Sequence, residues 1–124
     1  MEVHANQGWQ TTDVAVSAGD QVEIRYLSGE WFEDPPGQWH DASGGPNPWI
    51  CGSPECHEPL PEFPKYGLLG QVGVTGDVLG VGNALTFVAE TDGVLALRPN
   101  YGDEDIAALN PQGSVTVNVT VTGE

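Results

Sequence analysis

Apolar and polar residues alternate over several short stretches of the chain, and each alternation predicts a strand with one buried face. Val14 and Val16 alternate with Asp13, Ala15 and Ser17; after Ala18-Gly19-Asp20, Val22, Ile24 and Tyr26 alternate with Gln21, Glu23 and Arg25. That pattern predicts a hairpin turned at residues 18–20. A short strand is expected at 29–32, a central one at 68–73 and a Gly-broken edge at 78–81. Leu85, Phe87 and Ala89 form one face of another strand, and Asp92-Gly93 then turns the chain into Val94-Leu95-Ala96-Leu97. The clearest strand is the last, with Val115, Val117, Val119 and Val121 on one face and Ser114, Thr116, Asn118 and Thr120 on the other.

Seven or eight such strands with no convincing helix predict an all-β fold, a small antiparallel β-sandwich of jelly-roll type, in one domain spanning 1–124. Composition agrees: 17 Gly and 10 Pro suit turns and shaped loops and disfavour helices. The long aperiodic stretch 33–66 carries most of the prolines, both cysteines, Trp39 and Trp49. Its aromatic content predicts an ordered, functional loop.

Charge excludes some partners. Eighteen acidic residues against Arg25, Lys65 and Arg98 give a formal net charge of −15, which repels nucleic acid and anionic lipid surfaces. No apolar run approaches the roughly 20 residues of a membrane-spanning helix, so membrane insertion is not expected. Met1-Glu2-Val3-His4 shows no secretion signal. Cys51 and Cys56 flank a Gly-Ser-Pro turn that brings them within disulfide reach, which favours an extracellular, cell-surface or periplasmic location. A zinc site using Cys51, Cys56 and His57 is the rival reading, without a second ligand pair at suitable spacing.

Candidate chemistry concentrates between Leu97 and Ser114, where Asn100, Asp103, Glu104, Asp105 and Asn110 share one connection. A solvated acidic loop accounts for them, and so does Ca2+, which takes six to eight hard oxygen ligands. The EF-hand pattern is absent: Ile106 follows Asp105, with no turn Gly or closing Glu. Trp31 reads as core, while Trp39 and Trp49 in the long loop suit equally a buried role or a platform for the apolar face of a pyranose. Glu30, Glu33 and Asp34 evoke the acid and base of a glycosidase, but proximity in sequence does not supply two carboxylates across a cleft, and a non-enzymatic protein is expected.

Five stretches in order resemble the calcium-dependent, galactose-binding bacterial lectin family typified by the PA-I galactophilic lectin: AGDQVEIRYLSGEW at 18–31, ICGSPEC at 50–56, LLGQVG at 68–73, GVLALRPN at 93–100 and NPQGSVTVNV at 110–119. The resemblance implies a β-sandwich whose bound Ca2+ is coordinated directly by sugar hydroxyls, and a homo-oligomer that multiplies weak contacts. It assigns metal-ligand positions to Asn100, Asn110 and the backbone carbonyl at or next to Asp34, and a sugar-bonding position to Asn47. Tyr101 and Pro111 stand where the family has an acidic ligand and a second Asn. Asp103 or Asp105 then supplies the lost carboxylate, and Gln112 an amide oxygen. Gly44 lies near the family's sugar-contacting His, leaving His40 or His57, with Trp39, to approach the sugar. The alternative is a structural or self-assembling extracellular module that kept the sandwich and lost the sugar site, as Tyr101 and Pro111 would suggest.

Overall fold

The alternating valines of the last strand face Val22, Ile24 and Tyr26 of the longest one, and this pairing is the spine of the fold. A computed structural model describes residues 1–32, 39–44, 50, 58–104, 106 and 111–123, with backbone alone at Phe32. Its strands are β1 (Glu2–His4), β2 (Gln10–Val16), β3 (Gln21–Phe32), β4 (Leu68–Val72), β5 (Leu79–Gly80), β6 (Ala84–Val88), β7 (Gly93–Pro99) and β8 (Gln112–Thr122). They make two four-stranded sheets, β1-β8-β3-β6 and β2-β7-β4-β5, with every pairing antiparallel. Val3, Val22, Ile24, Trp31, Val115 and Val117 from the first sheet meet Val16, Leu68, Val72, Leu95 and Leu97 from the second in one core. This is the small β-sandwich that the periodicity predicts.

The predicted hairpin at 18–20 does not form. β2 pairs with β7 in one sheet, while β3 pairs with β6 and β8 in the other. The chain therefore crosses between the sheets at 17–20, and it crosses back at 89–92 between β6 and β7. The two crossings fasten each other: Gly19 N donates to Ala89 O at 2.8 Å, Ala89 N to Asp20 O at 2.8 Å, and Ala18 N to an Asp92 carboxylate oxygen at 2.8 Å. A reversing turn satisfies its backbone equally well in an arch as in a hairpin, so turn residues predict the reversal and not the partner.

The strand predicted at 29–32 is the continuation of β3. Tyr26 opposes Val117 and Ser28 opposes Thr116, leaving Leu27 as an extra residue in a bulge, 61% exposed. The bulge shifts the inward phase from even to odd positions, so Val22 and Ile24 are buried before it and Trp31 after it. Gly29 beyond it has φ +98°, and a Cβ there would run into the Ser114 carbonyl. β1, too short to announce itself by periodicity, is the one strand that the pattern misses.

Candidate functional site

β1, β3 and β7 lead into three connections at the end of the sandwich opposite the crossings: 5–9, 33–67 and 100–111. The long connection is closed at its root, where Trp31 N donates to His40 O at 2.9 Å and His40 N to Trp31 O at 2.8 Å. Trp31 is fully buried, and its indole Nε1 donates to Tyr66 O at 2.8 Å. The His40 ring stacks on Tyr66 (4.3 Å, 11°) and Tyr66 on Tyr101 (4.8 Å, 24°), with Lys65 Nζ 5.0 Å from the centre of the Tyr101 ring. His40 Nδ1 lies 3.0 Å from Gly44 O. The structure thus places His40 inside an aromatic column, where sequence reasoning expected it at the sugar. Burial of its ring between a tyrosine and a backbone carbonyl accounts for the difference.

Asn100, expected as a metal ligand, is fully buried and ties the two loops together. Its Oδ1 accepts from Leu60 N at 3.1 Å, and its Nδ2 is shared among Leu60 O, Phe63 O and Pro64 O at 2.9, 2.9 and 3.1 Å. Its main chain donates to Gly67 O and accepts from Tyr66 N. Buried loop carbonyls need donors, and one carboxamide supplies them for a turn that has no ladder of its own. Nearby in sequence, Glu58 is buried, and its Oε2 has no hydrogen-bond partner among the described residues.

Arg98 organises the second loop. Its side chain is only 3% exposed, with Nε donating to Pro99 O (3.1 Å) and Nη2 to Tyr101 O (2.6 Å) and Asp103 Oδ1 (2.8 Å). The guanidinium also lies 5.6 Å from the centre of the Trp9 ring. Asp103 itself is 77% exposed. Sequence reasoning passed over Arg98 because its position faces away from Leu95 and Leu97, the outward phase of β7. The available cue was a lone base five residues before an acid in a chain with three bases.

The remaining expected ligands Asp34, Asp105 and Asn110, the sugar candidate Asn47, and Cys51, Cys56 and His57 lie outside the described residues. Among the described residues, no three His, Cys, Asp or Glu side chains gather as a metal site. Of the described oxygens, Asn100 Oδ1 accepts from Leu60 N, and Tyr101 O and Asp103 Oδ1 accept from Arg98. The Tyr101 ring is in the column. A guanidinium so placed competes with a dication for Tyr101 O and Asp103 Oδ1.

A cleft of about 410 Å³ opens beside these loops, lined by His4, Asn6, Pro111, Gln112, Gly113 and Ser114. Its walls are held by main-chain bonds. Gln10 grips His4 through His4 N to Oε1 (2.7 Å) and Nε2 to His4 O (2.8 Å), and Ala5 N donates to Gly113 O at 3.0 Å. Behind it, Ser114 Oγ donates to Glu2 Oε2 at 3.0 Å. Gly113 has φ +95°, and the edge of the Trp39 ring lies 3.1 Å from where a Cβ on it would stand. Trp39, 48% exposed, therefore leans on bare backbone at the cleft. Imidazole, two carboxamides and a hydroxyl supply donors and acceptors, and no carboxylate is among the described lining residues, although Glu2 behind them lies 3.5 Å from His4 Nε2 and accepts from Ser114 Oγ. Sequence reasoning found Trp39 and Gln112 but not His4, Asn6 or Ser114, which reach the cleft through the β1–β8 pairing.

No protein-family model matches the chain, and no curated protein matches it. Among solved structures, it is similar to the EclA N-terminal domain, a PllA-like lectin, with a TM-score of 0.70 at 18% sequence identity, covering 98% of this chain and 94% of that one. The likeness is one of fold: the sandwich is lectin-like.

Proposed function

We propose that this chain is a non-catalytic carbohydrate-binding domain that holds a neutral sugar in the cleft between β1 and the start of β8. The observation that carries the reading is the cleft itself: His4, Asn6, Gln112 and Ser114 beside a half-exposed Trp39, with no carboxylate among the described lining residues. Sugar hydroxyls both donate and accept, and neutral amides, hydroxyls and imidazoles match them. An indole face next to them suits the apolar C–H face of a pyranose. The lectin-like fold supports the same class. Galactose-type recognition through Ca2+ is the narrower form suggested by the sequence resemblance; the described donors do not favour it. Residence outside the cytoplasm, with Cys51 bridged to Cys56, belongs to the same reading.

A glycan array probed with the protein, in chelator and again in millimolar Ca2+, tests both levels. Binding that Trp39→Ala weakens about tenfold supports the site, and binding lost in chelator selects the calcium form. Failure to retain any glycan, together with a defined self-associated species in sizing experiments, overturns the proposal in favour of a structural module.

A further inference from the structure

We infer that Arg98 is a built-in cation that orders residues 99–103 at the exit of β7 in the place of a divalent metal, so that the sugar binding proposed for this end of the sandwich is independent of one. The second clause rests on the proposed function; the first stands without it.

Three oxygens converge on one guanidinium, Pro99 O, Tyr101 O and Asp103 Oδ1, at 3.1, 2.6 and 2.8 Å. Two carbonyls and a carboxylate are the ligand types that a hard cation gathers from a loop. Here the cation is covalently part of the strand that enters the loop, and it stays charged at any pH the protein survives. Its burial is complete enough to matter: the side chain is 3% exposed, against 63% for Arg25, whose pairing with Glu23 is at the surface. Trp9 covers the guanidinium, and Gly8 stands where a Cβ would lie 3.1 Å from Asp103 Oδ1 and 3.4 Å from Arg98 Nη1.

The arrangement works against a metal in two ways. It occupies Tyr101 O and Asp103 Oδ1 with a donor, and it sets a fixed positive charge where a dication would have to approach. Trp9, against the guanidinium, lies on the connection 5–9 that also carries Asn6 of the cleft, so Arg98 acts as a positioning residue for that wall. An internal cation loses no affinity as ions are diluted, whereas a bound one does.

Calorimetric titration of CaCl2 into the wild-type protein, without sugar, is the direct test. No saturable binding below millimolar Ca2+ and an unchanged melting temperature are expected, and micromolar binding overturns the inference. Arg98→Met keeps the stem and removes the charge, freeing Asp103. Its melting temperature is expected to rise with Ca2+ where that of the wild type does not, and an equal response in both proteins overturns the idea. Arg98→Lys keeps the charge, so it should remain unresponsive to Ca2+ and keeps the test decisive if Arg98→Met does not fold. For a sugar identified on the array, affinity should agree within about twofold between chelator and millimolar Ca2+. A tenfold loss in chelator overturns metal independence while leaving carbohydrate binding intact.

Discussion

Trp31 and His40 exchange both main-chain hydrogen bonds, at 2.9 and 2.8 Å, and so close the segment 32–39 at its root. The same tryptophan donates its indole N–H to Tyr66 O. Trp31→Phe should leave that buried carbonyl without its donor and cost about 1–3 kcal/mol, while Trp31→Ala adds a cavity for a total of about 3–5 kcal/mol. Urea unfolding of both variants measures the difference.

Asn100→Asp should be worse than Asn100→Ala. Asp offers no donor to Leu60 O, Phe63 O and Pro64 O and sets a negative charge against three carbonyl oxygens. A loss of at least about 3 kcal/mol is expected near neutral pH, because a buried charge is left without a partner. The deficit should shrink as acid neutralises the carboxylate, since an acid whose folded pKa is raised binds its proton more tightly in the folded state. Denaturation midpoints across pH report this directly.

Gly113→Ala should destabilise the fold by about 1–3 kcal/mol, because its φ of +95° is strained for any residue bearing a Cβ. The Cβ would also press on Trp39, so the tryptophan emission spectrum should shift along with the unfolding midpoint. Ser114→Ala, one residue further into β8 and without the backbone conflict, should change stability far less.

Trp39→Ala separates binding from folding. Its ring is 48% exposed and contributes little to the core, so the unfolding midpoint should hold while affinity for a retained glycan falls about tenfold, the value of a lost aromatic contact of about 1.4 kcal/mol.

Tyr26 ionises above the ordinary tyrosine value of about 10, first because burial penalises the phenolate and then because Asp41 and Glu30 repel it. A group raised in this way contributes its full stability below pH 10 and loses it as pH rises through the folded value. In ultraviolet titration Tyr26, identified by comparison with Tyr26→Phe, should ionise late, and Glu30→Gln should bring it earlier.

The strands were legible where one face is buried along its whole length. Val115 to Val121 announce β8, because a half-buried strand writes its environment into the sequence with period two; β4, with Leu68, Leu69 and Gly70 all buried, announces itself instead as a short apolar run. Sheet membership was not legible: Ala18-Gly19-Asp20 reads the same whether Val22 returns beside Val16 or crosses above it. The bulge left a trace, since the inward positions change parity between Tyr26 and Trp31, yet that trace reads equally as the start of another strand. At the site, Trp39 was visible as an aromatic residue outside any alternation. His40 and Asn100 were recognised as special, but their types alone do not distinguish an imidazole or amide that faces a ligand from one that satisfies loop carbonyls. His4 and Ser114 were invisible because they meet only through strand pairing across most of the chain.

Leu27 illustrates a kind of freedom that substitution scanning overlooks. Its side chain points to water, so most replacements there should be silent. Deleting it should be tolerated as well: Tyr26 stays opposite Val117 and Ser28 opposite Thr116, so residues 28–31 keep their partners and their faces, Trp31 remains inside, and the ladder merely loses its kink. The position is free in identity and in number, and alignments of related chains should show it as variable in composition and open to a gap.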